Sequence, residues 1–286
     1  MQDDSVELFN LMVVADPRSA RMIFEKMLPL KNEVLAFSKN IRANKNQSSS
    51  FEQDFKHQDR QGIAASLQIA FGDDAGFSVF SFSSDATSRS KCQLMLGCLK
   101  ISPEVIVGKI KTCTDISSKS SMVIALGNLD LDLVDVQTRN NWTDGFLEMF
   151  RNSPDAGLHG SLDWLLRKRL GLGKECDQIE GSLKSKTING NKWFVNSIGQ
   201  TFVIIDGPKK FQMGSPVDEP LRYEAERVHE RFIPRSIAVA QKEVTISDFL
   251  SLMPEQRYTE KYSKTPDSAM ICISWYDCAR YCNLLT

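Results

Sequence analysis

An internal repeat between residues 60 and 169 constrains this chain more than any other feature. Three stretches, Asp85 to Gly97, Asp115 to Gly127 and Asp155 to Leu166, follow one pattern. Each opens on Asp and carries a small residue five positions on: Ser90, Ser120 and Gly160. An apolar cluster then follows: Cys92, Leu94, Met95 and Leu96; Met122, Ile124, Ala125 and Leu126; Leu162, Trp164, Leu165 and Leu166. An Asp in that place can accept the free N–H groups of a helix's first turn. The small residue lets a neighbouring helix approach, and the apolar cluster fills the seam. Self-similarity at this period predicts stacked supersecondary units, none of which can bury its apolar face alone.

Two further helical candidates, 102–110 and 142–150, alternate with the repeated ones. The alternation of helices with Asp-led inner members resembles HEAT-type repeats. Upstream, residues 8–41 carry apolar positions at helical spacing: Ile23, Met27, Leu30, Val34 and Phe37. Asp16-Pro17 reads as a helix start, because Pro is tolerated in the first turn, and Pro29 breaks or kinks the pattern. Residues 42–60 read as a polar loop. The helical region therefore spans 1–170, and a polar linker is expected over 171–186.

After residue 187 the hydrophobic period changes from helical to two. Trp193–Val195, Thr201–Ile205 and Phe211–Met213 read as short strands, and Phe232 to Ala240 as another. Residues 214–231 read as a charged surface loop. Thr245 with Asp248, and Ser274 with Asp277, have the spacing of capping boxes opening two short helices. The second helix has an expected apolar face of Trp275, Cys278, Cys282 and Leu285. Trp193, Phe202, Met213 and Trp275 are expected inside. The fold class expected is thus multidomain: an all-α HEAT-like repeat region followed by a mixed α+β, loop-rich domain. Because the last helix runs into Thr286, the chain reads as a fragment of a longer protein.

Charge and composition narrow the function classes. A net charge of −1, with 42% apolar and 25% charged residues, gives a soluble globular composition without the basic field that nucleic acid or an anionic membrane requires. The apolar runs fall short of the ~18 residues of a spanning helix, and the acidic N-terminus is unlike a secretory signal. The expectation is a cytoplasmic chain. Seven scattered cysteines without a CxxC read as free thiols.

In 187–286 the order of motifs resembles the formylglycine-generating-enzyme, or sulfatase-modifying-factor, family. The motifs are Phe211-Gln-Met-Gly-Ser215, then Glu219 and the run from Glu224 to His229, then Ser236 to Ala240, then Glu243-Val-Thr245 with Phe249. The run Ile273-Ser-Trp-Tyr-Asp277 with Ala279 and Tyr281-Cys-Asn283 closes the series. The resemblance implies the first part of such a domain, whose family reaction oxidises a client-protein cysteine to formylglycine. It also implies copper and calcium for the complete domain and a client peptide as partner. The helical repeats in front resemble bacterial relatives that carry a protein kinase further upstream; no kinase signature occurs here.

The family's catalytic cysteines match none of the seven here, so no catalytic, cofactor-binding or metal-binding residue is assigned, and the chain as given is expected to be inactive. Cys278 and Cys282 share a helix face that could clamp a soft metal, but Trp275 and Leu285 beside them favour core packing. His57, His159 and His229 lie in three separate segments, so a zinc hydrolase is not indicated. His159 reads as a satisfied surface or interface histidine, and His229 as solvated in its loop. Gly171-Leu-Gly173 lacks a dinucleotide fingerprint, and Gly72 to Gly76 reads as a turn rather than a calcium loop. The alternative to an enzyme fragment is an interaction protein that binds a protein partner on the repeat surface.

Overall fold

The computed structural model describes residues 2–44, 51–186, 190–258 and 261–285. Among the described residues, 12 helices take up 61%, and a small antiparallel sheet region follows on the C-terminal side. The chain divides into two compact units. One comprises Met1–Asn152, Gly157–Gly173 and Phe211–Arg231; the other comprises Ser153–Ala156, Lys174–Lys210 and Phe232–Thr286.

The first unit is built from α1 (Gln2–Val14), α2 (Pro17–Met27), α3 (Lys31–Ala43), α4 (Phe51–Ala70), α5 (Thr87–Cys98), α6 (Pro103–Thr112), α7 (Ile116–Asn128), α8 (Val136–Asn152) and α9 (Ala156–Trp164). Asp16 caps α2 by accepting from the N–H groups of Arg18 and Ser19, and Pro29 sits in a short 3-10 turn between α2 and α3. Asp115 caps α7 by accepting from Ser118 N at 2.8 Å. Asp85 accepts from Thr87 N at 2.8 Å, at the start of α5. α4 packs against α3 and α5, and α7 against α5 and α6. Phe9, Met12, Leu67, Phe80, Leu96 and Phe150 are among the fully buried side chains of this core.

Glycines set how closely these helices approach. A Cβ on Gly127 of α7 would lie within 3.0 Å of the Trp164 indole of α9, and one on Gly97 of α5 would sit 2.6 Å from the Asn128 carbonyl. The third repeated stretch buries His159 completely, against the expectation of a surface or interface position. Its ring stacks on Phe150 at 4.2 Å, and Nδ1 lies 2.9 Å from the Phe150 carbonyl. A carbonyl only accepts, so Nδ1 carries the proton. Four residues on, Asp163 and Arg167 form an ion pair at 2.6 Å, both largely buried, and Arg167 also donates to the Gly173 carbonyl.

Three expectations for this unit are corrected. The loop expected over 42–60 is shorter, because α4 is already helical from Phe51; residues 45–50 lie outside the described residues. Residues 173–183 of the expected linker form a helix, α10 (Gly173–Leu183), which buries Cys176 and Ile179 at a three-residue spacing. Leu94 is 58% exposed. The inward line of α5 is Cys92, Met95, Leu96 and Leu99, spaced 3, 4 and 7, and Leu94 falls off that stripe.

In the second unit, β1 (Trp193–Val195), β2 (Thr201–Ile205) and β5 (Ile237–Ala240) form an antiparallel sheet in the order β1-β2-β5. Phe194 pairs with Phe202 and Val203 with Val239. Trp193 is buried and its indole N–H donates to the Ser153 carbonyl at 2.8 Å. The strand expected from 232 to 240 is two strands, because Pro234 offers no N–H to a ladder and β4 (His229–Ile233) ends before it. β4 pairs with β3 (Lys209–Met213) in a separate two-stranded ribbon. Met213, expected inside, is 51% exposed there, and Phe202 is only half-buried. α11 (Ile246–Leu252) and α12 (Trp275–Leu285) enclose a small core of Ile246, Phe249, Met253, Met270 and Tyr281. Phe249 and Tyr281 stack at 4.8 Å. Burial pushes the Tyr281 hydroxyl up to about 12. Both capping boxes form: Thr245 with Asp248, and Ser274 with Asp277.

Candidate functional site

The broadest polar cleft lies wholly in the helical unit and has a volume of about 550 Å³. Its floor is the end of α3. Its near wall is one face of α4, carrying Asp54, His57, Gln58 and Gln61 at helical spacings of 3, 4 and 7. Its far wall is the segment from Ser81 to Asp85 and the first turn of α5, with Ser88 and Arg89.

Local sequence explains this shape. α4 ends where Gly72 takes a φ of +81°, which a side chain would resist. Asp73 then accepts from Ala75 N at 3.0 Å and opens a 3-10 turn over Asp74–Phe80. Gly62 lets α5 lie against α4: a Cβ there would fall within 3.0 Å of the Ser88 carbonyl. The Ser88 hydroxyl donates to the Gln58 carbonyl at 2.9 Å, and Lys91 pairs with Asp59 at 3.5 Å, tying the two helices together beside the cleft.

Arg42 holds the floor. Its Nη1 donates to Gln68 Oε1 at 3.0 Å, to the Ala75 carbonyl at 2.8 Å and to the Gly76 carbonyl at 3.2 Å; its Nη2 donates to Ser78 Oγ at 2.7 Å. All four acceptors are neutral. Burial pulls the guanidinium pKa down, opposed by the longer-range pull of Asp73. Asp73 is itself paired with Lys39 at 3.2 Å. On the near wall, Gln61 Nε2 donates to the Ile41 carbonyl at 2.7 Å and lies 3.1 Å from His57 Nε2. An amide nitrogen only donates, so the imidazole accepts there and keeps its proton on Nδ1. Phe82 stands 79% exposed on the far wall.

The residues singled out from sequence do not converge. His57 lines the cleft, His159 is buried in the core, and His229 is exposed with Nδ1 2.7 Å from the Arg227 carbonyl. Cys278 and Cys282 are exposed, not packed in a core as expected. The inward residues of α12 are Tyr281 and Leu285, so the helix is turned away from the face expected for it, and Trp275 is 76% exposed. All seven cysteines are free thiols. Among the described residues, no group of three or more His, Cys, Asp or Glu side chains comes together as a metal site requires. The copper and calcium implied by the resemblance therefore find no donor set in these residues, and no chemical step is written through them.

Sequence reasoning missed the cleft because it turns on α4 beginning early. With 51–60 read as loop, the spacing of Asp54, His57, Gln58 and Gln61 had no face to define. Arg42 and Arg89 belong to no motif, and only their convergence marks them.

Among the described residues no helix is long and apolar enough to cross a membrane. No family model, curated protein or solved structure matches the chain.

Proposed function

We propose that this chain is a non-catalytic interaction protein. In this reading a HEAT-like helical array presents a binding surface to a protein partner, and residues 187–286 are the first part of a formylglycine-generating-enzyme-like domain with no oxidase chemistry of their own. One observation carries the reading: the tightly packed helices of the first unit build a polar cleft of about 550 Å³, walled by α3, α4 and α5. A rigid scaffold with a concave polar site is what stacked helical units provide for recognition. The test is capture of a partner by the full chain, compared with a Phe82→Ser, Arg89→Glu double variant. Both substitutions lie on the exposed far wall, so the fold should survive. Capture equal in the two proteins places recognition elsewhere and defeats the reading.

The family reaction, oxidation of a client cysteine, is the second reading. The exposure of Cys278 and Cys282, four residues apart on α12, favours it, since both thiols can meet a peptide. Activating oxygen for thiol oxidation would call for a soft-metal site, and two thiols alone supply half the ligands of a four-coordinate one. We therefore expect the purified chain, incubated with copper, oxygen and a peptide bearing Cys-x-Pro-x-Arg, to leave the peptide cysteine unchanged by mass spectrometry. Conversion to the aldehyde, abolished by Cys278→Ser or Cys282→Ser, would establish the enzyme reading instead.

A further inference from the structure

We propose that the cleft between α3, α4 and α5 is an oxyanion site, taking a carboxylate or phosphate group between Arg42 and Arg89. The argument is a balance of charge among the groups that line it. Arg42 spends its Nη1 hydrogens and one Nη2 hydrogen on neutral acceptors, so no contact neutralises its charge, while Nε and the remaining Nη2 hydrogen keep donor capacity. Its burial strips water from that charge, which makes an incoming anion worth more than at an open surface. Arg89, on the far wall and only half-exposed, has no hydrogen bond or ion pair among the described residues. The two carboxylates that line the same cleft are already engaged. Asp85 Oδ1 accepts from Thr87 N at 2.8 Å, and Asp54 has an interaction of its own. The charge left over in the cleft is therefore cationic, and it comes from guanidinium groups, whose planar fork matches a carboxylate or phosphate.

Recognition of an oxyanion does not depend on the interaction reading above; that reading decides only whether the group arrives on a peptide or on a small molecule. Calorimetric titration of the full chain at low salt separates these sources. The probes are inorganic phosphate, N-acetyl-glutamate amide, a short peptide carrying phosphoserine, and N-acetyl-glutamine amide as the uncharged match. The three anions should bind and weaken as salt is raised, and the glutamine amide should not bind. Tighter binding of the peptide than of inorganic phosphate identifies a peptide as the carrier; equal binding identifies a free anion, and the interaction reading then fails while the oxyanion site stands. Arg89→Gln, at a position with no structural bond to lose, should weaken every anion about tenfold or more, the scale of a charge-assisted hydrogen bond. Lys111→Gln, an equal charge change on exposed α6, should leave affinity unchanged. Arg42→Lys keeps the charge but loses the fork, and should weaken binding if its circular dichroism remains native. Failure of all three anions to bind the wild-type chain overturns the proposal. So does equal binding of the glutamine amide, or an equal loss in Lys111→Gln and Arg89→Gln.

Discussion

The two units bury their apolar residues on different scales. In the helical unit, Phe9, Met12, Phe80, Phe150 and many aliphatic side chains are sealed from water on helices that pack along their length. In the other unit, the cluster around Phe249 and Tyr281 contains five buried residues, and the neighbouring ribbon leaves Phe211, Met213 and Phe232 in solvent. Helices satisfy their own backbone hydrogen bonds, so a unit built from them can devote its side chains to the seam. Short strands must find partners for backbone and side chains at once, and three-residue and four-residue strands cover little area. The lesson is that stability should be sensitive to substitution in the first unit and much less so at the outward positions of the second.

The largest expected effect tests the dense core. Phe150→Ala removes a fully buried ring together with the stack on His159, and should lower stability by about 3–5 kcal/mol in urea unfolding followed by helical dichroism. A loss below about 1 kcal/mol, the usual scale of a surface substitution, would show a core loose enough to collapse into the gap. Next comes the helix seam. Gly127→Ala forces a methyl into the Trp164 indole and should cost about 1–3 kcal/mol. Adding Trp164→Leu should recover part of that loss, measured as a non-additive double-mutant cycle.

A smaller effect probes a helix end. Asp115→Ala should cost about 1 kcal/mol by removing the α7 cap. The hydroxyl and then the backbone N–H of Ser118 hold the Asp115 carboxyl below its ordinary value. A folded pKa below the unfolded one means that the stabilisation is complete above the unfolded value and disappears as pH falls through the folded value. The gap between the wild-type and Asp115→Ala urea midpoints should therefore hold steady from about pH 7 to 5 and close in more acid solution. A gap independent of pH would assign the loss to something other than the carboxylate. The smallest effect belongs to the second unit: Trp275→Ser, on the outward side of α12, should change stability by less than about 0.5 kcal/mol.

Helix starts were legible because they depend on neighbours in sequence. Asp16, Asp115, Thr245 and Ser274 each act on an N–H two or three residues away, and the sequence pattern locates them correctly. Leu96, Leu126 and Leu165 were legible as core through the repeat. Leu94, Trp275, Cys278 and Cys282 were not, for a common reason. A helix can roll by one residue, 100°, without disturbing its caps, and what fixes the roll is the partner it packs against. On α12 the partner ring of Phe249 selects Tyr281, and this turns the indole and both thiols outward. The cleft was illegible for a related reason: Arg42, His57 and Arg89 meet only because Gly62 lets α5 lie close to α4 and Gly72 turns the chain back.

That roll of α12 has an optical consequence. Trp142 and Trp193 sit in apolar surroundings, whereas the Trp275 indole stands in water. Its emission should lie to the red of theirs and should be the component that aqueous iodide quenches first. The difference between the spectra of the wild-type chain and a Trp275→Phe variant would isolate the light from this one ring. Any molecule that settles over α12 would then declare itself by a blue shift and by shielding from iodide, with no added label.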